Sequence, residues 1–336
     1  MRIKVLVIAA LLVFSQNASS AASDYIAGVK FLSIPVEGRA IPLLVTLWYP
    51  SDGGGIAVPV GTSSIFKGAE GRLDAAVLDG AFPTVIVYSG GYRSARNSAA
   101  WMNRFLATKG FIVASIAPPF LGYSDAWAAP AEIWKRPQDM SNVLTALMRE
   151  SVFRNHIDAN RVAAVGTLLG GTAALSLVGL RLDASRFGRS CDGQSGNADC
   201  VWFAESGIGL RTVDAAKLEG NRRDSRIKAA IAVHPTLTES VDPDSLTALS
   251  APVAAIALGR GNRIAARLGQ AMPVAIVIGA SAGSSFNECR PKGAEILSDT
   301  GGDPMLCLAD KSIGRARVHS VVANHIVKVL QAAFDR

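Results

Sequence analysis

Imidazole is scarce in this chain: 336 residues contain four histidines, and no two of them stand in His-x-x-x-His spacing. The four cysteines form no Cys-x-x-Cys, so the ligand spacings of zinc sites are missing, and no tight carboxylate cluster replaces them. Charge is also sparse, at 18% of residues, and it is scattered along the chain. Without a basic stripe, nucleic acid is not an expected partner; clusters such as Arg222-Arg223 and Arg260 with Arg263 read as solvated loops. The one marked apolar run, 5–14, is too short to span a bilayer as a helix. Hydrophobic content of 49% indicates a well-buried core and argues against disorder.

The N-terminus has the layout of a secretory signal peptide. Arg2 and Lys4 precede the apolar run, and the small residues 18–22 follow it. Residues 1–22 are therefore expected to be removed, leaving 23–336 as one domain in the periplasm or outside the cell, with no stable membrane span. Losing Arg2 and Lys4 leaves 32 basic residues against 27 acidic ones, a net charge of +5. Cysteines in an exported chain point to disulfides. Sequential pairing, Cys191 with Cys200 and Cys289 with Cys307, would pin two polar loops near 191–200 and 289–307, although four cysteines permit three connectivities.

Two apolar runs, 28–36 and 41–49, flank Glu37-Gly38-Arg39 and predict an antiparallel hairpin at a sheet edge. A Gly/Ser-rich connection occupies 51–80. Short buried strands then alternate with helix-period segments. Strands are predicted at 83–88, 111–117, 161–165, 227–233, 251–258 and 273–278, and helices at 98–109, 138–150, 171–181 and 313–334. Continuous apolar strands separated by helices indicate an α/β fold: a mostly parallel sheet with helices on both faces. Ligands on such sheets lie beyond the carboxyl ends of the strands, so those ends are where chemistry is sought.

After 161–165 the chain reads Gly166-Thr167-Leu168-Leu169-Gly170-Gly171. The spacing of Gly166 and Gly170 is that of a nucleophile elbow, Gly-x-Ser-x-Gly, but its tip is Leu168, which has neither lone pair nor labile proton. The same turn lacks Gly-x-Gly-x-x-Gly spacing and a P-loop lysine, so no nucleotide or other cofactor is expected. Ser89-Gly90-Gly91-Tyr92 follows the first parallel strand, where a backbone N–H could contribute to an oxyanion hole together with that of Leu169.

The order of these pieces resembles the secreted, dienelactone-hydrolase-like branch of the α/β-hydrolase superfamily, close to its platelet-activating-factor-acetylhydrolase-like members. The resemblance covers most of the mature chain. It rests on Leu47-Trp48-Tyr49-Pro50, the 82–89 strand, Trp134-Lys135-Arg136-Pro137-Gln138-Asp139 and Ile157-Asp158-Ala159-Asn160-Arg161-Val162. The glycine elbow, Arg226-Ile227-Lys228-Ala229-Ala230, the late cysteine pair and a terminal helix with Arg317 and His319 complete it. It implies an α/β-hydrolase fold and a Ser-Asp-His triad whose positions fall here on Leu168, Asn262 and Ser284, a degenerate set, with Ala282 in place of Ser284 when the count runs back from Cys289. A histidine usual before the oxyanion glycine is replaced by Gly90.

Without serine there is no acyl-enzyme, and without imidazole nothing near neutral pH carries the proton. The expectation is a non-catalytic pseudo-hydrolase, a pseudoenzyme with an apolar Leu168 at its pocket floor that holds a small apolar or ester-like ligand. Two rival readings stand beside it. One is an active ester or lactone hydrolase with relocated groups, using His234, which ends a buried strand at the productive sheet edge, with a loop serine. The other is a protein that binds an unspecified protein partner. His156, His319 and His325 read as loop, packing or surface residues, and Asp125 and Glu132 as solvated loop charges.

Overall fold

The computed structural model describes residues 24–92, 94–118, 123–149, 152–193, 198–260, 262–308 and 313–335. The segment read as a signal peptide lies outside the described residues. Ten strands are present among them: β1 (Ile26–Ile34), β2 (Leu43–Ser51), β3 (Ile56–Val60), β4 (Ala69–Leu73), β5 (Phe82–Tyr88), β6 (Ile112–Ile116), β7 (Ile157–Thr167), β8 (Ala229–Val233), β9 (Val253–Leu258) and β10 (Val274–Val277). They form one sheet in the order β10-β9-β8-β7-β5-β6-β2-β1-β4-β3. From β10 to β6 every neighbouring pair is parallel, and β2 joins β6 antiparallel.

Alternate residues of the central strands feed two cores. Ile86 and Tyr88 of β5, with Ala230 and Ala232 of β8, pack on the face covered by α2 (Ala129–Arg149) and α3 (Leu169–Ser176). Val85, Val87, Ile231 and Val233 point the other way, onto α1 (Ala100–Thr108) and the terminal helix Arg315–Phe334. Burial on both faces explains why these strands read as unbroken apolar runs.

Three expectations are corrected. The predicted antiparallel β1–β2 hairpin forms but is not at the edge, because β4 adds to β1 and β3 to β4. Both strands lie within what was read as a Gly/Ser-rich connection. Helix α2 begins at Ala129, before the predicted 138, and carries Pro137 inside it. An interior proline usually ends a helix; here Glu132 and Arg136 form an i,i+4 ion pair beside it. Glu132 is accordingly a buried helix residue and not a solvated loop charge.

Both disulfides form in sequential pairing, Cys191–Cys200 and Cys289–Cys307. The first tethers the start of α5 (Ala198–Glu205) to the residues after α4 (Ala184–Gly188). The second lies against the terminal helix, where Arg315 donates to the carbonyls of Asn287 and Leu306.

Candidate functional site

The turn from β7 into α3 leaves no room for side chains at its glycines. A Cβ on Gly166 would lie 2.0 Å from the Gly170 carbonyl oxygen, and one on Gly170 would lie 1.9 Å from that of Tyr88. Between them Leu168 takes φ 53° and ψ −123°, a region that L-residues with bulky side chains avoid. Its N–H donates to the Val233 carbonyl at 3.0 Å, and its carbonyl accepts from Gly171 and, more weakly, from Thr172 and Thr236. The backbone of an elbow is therefore present, with an aliphatic side chain at its tip. That side chain lies beside Gly91, since a Cβ added there would be 3.9 Å from Leu168 Cδ1.

The loop after β5 is held from two sides. The Gly90 N–H donates to Thr167 Oγ1 at 2.8 Å, and the Gly91 N–H donates to Ser94 Oγ at 2.8 Å. Both N–H groups are thus occupied. Tyr92 makes no backbone N–H bond among the described residues, and Leu169 opens α3, where first-turn N–H groups have no intrahelical acceptor. Of the four oxyanion-hole candidates, these two have donors to offer. From below, Arg136 donates to the carbonyls of Gly90 and Gly91 at 2.8 and 2.9 Å.

Arg136 belongs to a buried network that the sequence reading did not identify. Its side chain has no exposure, and its guanidinium sits 4.9 Å above the Tyr88 ring. Arg39, from the β1–β2 turn, forms a bidentate pair with Glu132 and a second one with Asp139. Burial pushes the Asp139 carboxyl above its usual range, and the Arg39 guanidinium opposes that rise. The available signal was Arg136 within an α2 sequence that also carries Glu132 and Asp139 at helical spacing.

The other two positions expected from the resemblance differ in kind. Asn262 starts the helix Asn262–Leu268 after β9, and its side chain lies outside the described residues. Ser284 is buried in a 3₁₀ turn after β10, its Oγ accepting from the Ser281 N–H at 3.0 Å. His319 reaches this turn from the terminal helix, with Nε2 3.0 Å from the Ser284 carbonyl and 2.9 Å from that of Phe286. Its ring stacks on Trp101 at 3.8 Å, and burial lowers its pKa to about 4, so it is neutral at physiological pH. His156 is a half-buried residue at the end of the 3₁₀ turn Arg154–His156, its Nδ1 3.2 Å from the Gly80 carbonyl, and His325 is half-buried on the terminal helix.

No protein-family model and no curated protein sequence matches the chain. Among solved structures it is similar to a ferulic acid esterase from Streptomyces cinnamoneus. The TM-score is 0.59 at 16% identity, covering 94% of this chain and 92% of that one. The chain has an α/β-hydrolase-type fold. At that identity the likeness speaks to the fold alone.

In this hydrolase-type fold a cavity of about 480 Å³ opens beside the elbow, within the usual range of about 300–1,000 Å³ for small-molecule sites. Phe187, Phe203, Leu210 and Ile264 give it apolar walls, and the Cys191–Cys200 disulfide forms part of its boundary. Leu168 and Ser284 are not among the described residues that line it, so the cavity is offset from the elbow tip and Leu168 is not its floor. His234 does line it, from the end of β8. The His234 Nδ1 accepts from the Leu258 N–H at 3.1 Å, which places the ring proton on Nε2, and burial lowers its pKa. Leu168, His234 and Leu237 are three of the five non-glycine residues with left-handed φ among the described residues, so backbone strain concentrates around this corner. No group of three or more His, Cys, Asp or Glu side chains that could hold a metal ion occurs among the described residues.

Proposed function

We propose that the chain is an exported, non-catalytic protein of the dienelactone-hydrolase-like branch that binds a small apolar or ester-like ligand reversibly in the cavity beside its elbow. In this reading residues 1–22 are a cleaved signal peptide and 23–336 are one domain. The observation that carries it is Leu168 at the elbow tip: the strained backbone that would present a nucleophile presents a side chain unable to form a covalent bond. Two further observations support it. The Ser284 hydroxyl serves its own turn, and His234 has Nδ1 occupied by a backbone N–H, so the ring is fixed as a hydrogen-bond donor toward the cavity. Two disulfides fit an oxidising compartment, and no helix among the described residues is long and apolar enough to cross a membrane.

The test is treatment of the purified mature chain with a fluorophosphonate probe, alongside short-chain ester hydrolysis. No serine should be labelled and esters should persist at the uncatalysed rate. Stoichiometric labelling of any serine would overturn the reading in favour of a hydrolase with relocated groups.

A further inference from the structure

Three hydroxyls of residues that line the cavity have nothing to bond to among the described residues. Tyr92 and Ser240 are 2% and 0% exposed, yet among the described residues neither side-chain hydroxyl has a hydrogen-bond partner. Both residues line the cavity, as does Thr236, whose buried Oγ1 is also without a partner. Buried hydroxyls are normally satisfied, so an orphaned set in a cavity wall offers a ligand bonds that the protein itself does not fill. His234 adds a neutral N–H donor to the same wall.

Charge around the rim is asymmetric. Arg260 and Arg263 are exposed at the cavity and have no carboxylate partner among the described residues. The two acids that line it are already engaged: Glu239 pairs with Arg267, and Asp199 has an interaction of its own on α5. The arginines follow β9, whose neighbour β8 ends in His234, so the donors gather on the strand-end side. Phe187 and Phe203 supply aromatic wall, and Phe203 packs edge to face on Tyr92 at 5.4 Å.

From this juxtaposition we infer that the cavity takes a small aromatic carboxylate. Its ring packs against Phe187 and Phe203, and its anionic head points to the His234 N–H and the Tyr92 and Ser240 hydroxyls, drawn in by Arg260 and Arg263. Binding without turnover rests on the function proposed above; the choice of an aromatic anion rests on the cavity alone.

Calorimetric titration of the mature chain with sodium trans-cinnamate, cinnamyl alcohol and sodium hexanoate tests it. Cinnamate should bind with a Kd below about 1 mM, and the other two at least about tenfold more weakly, the scale of a lost charge-assisted hydrogen bond or aromatic contact. Arg260→Gln with Arg263→Gln, both at exposed positions, should weaken cinnamate by about tenfold and leave the alcohol unchanged. Tyr92→Phe, which removes one oxygen, should also weaken cinnamate. Equal affinity for acid and alcohol, equal affinity for cinnamate and hexanoate, or no heat with any of the three up to about 10 mM would overturn the inference. Turnover of methyl cinnamate would instead sink the non-catalytic reading and leave the anion preference standing.

Discussion

Arg39→Met isolates what the buried charge network does for the fold. The Arg39 side chain is 9% exposed, while Glu132 and Asp139 are each 3% exposed. Its Nη2 lies 3.0 Å from Glu132 Oε2 and 2.6 Å from Asp139 Oδ2, and its Nε lies 3.1 Å from Asp139 Oδ1. With Arg136 the network balances two cations against two anions. Methionine fills much of the same volume but leaves one buried carboxylate uncompensated. Glu132 keeps Arg136 at 3.6 Å, whereas Asp139 keeps only the Tyr88 hydroxyl at 3.4 Å. Breaking a buried pair in this way costs about 3–5 kcal/mol. In a chain of this size that lowers the melting temperature by roughly 4–8 °C.

The pH dependence follows from the Asp139 carboxyl. Burial already raises it in the native chain, and losing Arg39 raises it further. A carboxyl that binds its proton more tightly when folded favours the folded state at low pH and opposes it as pH rises through the folded value. The deficit of Arg39→Met should therefore be larger at pH 8 than at pH 5. Adding Asp139→Asn restores one cation against one anion and should recover most of the loss. Thermal and denaturant unfolding at the two pH values measure all of this. A loss below about 1 kcal/mol, or one independent of pH, would refute the claim that the network is balanced by charge rather than by packing.

Other outcomes follow from single sites. His319, 7% exposed with a folded pKa of about 4 against 6.5 unfolded, contributes stability that is fully present above pH 6.5 and is lost as pH falls toward 4. The difference is worth roughly 3 kcal/mol, and His319→Gln should flatten that limb of a stability–pH curve. Ser240→Ala and Tyr92→Phe each delete a buried hydroxyl without a partner, so each should raise unliganded stability by about 1 kcal/mol in urea unfolding; a comparable loss would mean the hydroxyl is satisfied. Leu168→Ser should fold normally, because serine relieves none of the contacts that hold the turn, and should remain unlabelled by a fluorophosphonate. Strong labelling would place an imidazole at the elbow that the described residues do not.

What was legible in the sequence was what period and glycine spacing encode. The parallel strands could be read because both faces are buried, which makes 83–88 and 227–233 unbroken apolar runs. The elbow could be read because Gly166 and Gly170 admit no Cβ, a constraint that leaves its mark at fixed spacing. Strand β4 was missed because Ala69–Leu73 contains Glu70, Gly71 and Arg72, and the edge strand β3 because it is five residues long and carries Pro59, which argues locally against a strand. Helix α2 was started late because Pro137 is a breaker by local rules, and tertiary context overrode it. Glu132 was misread for a related reason. A carboxylate reads as solvated unless its partner is known, and Arg39 lies 93 residues away in the chain.

The strained conformation at Leu168 shows that the elbow does not depend on the chemistry an elbow usually serves. Its geometry is set by close approach of the β7–α3 turn to β5, through the Gly170 contact with the Tyr88 carbonyl, and to β8, through the Leu168 N–H bond to Val233. Those contacts over-determine the backbone, so a residue with no affinity for φ 53° is held there at a penalty of about 1–3 kcal/mol. Arg136 likewise holds Gly90 and Gly91 from beneath, independent of any group at the tip. Sheet packing and the buried charge network therefore preserve the scaffold whichever side chain occupies position 168.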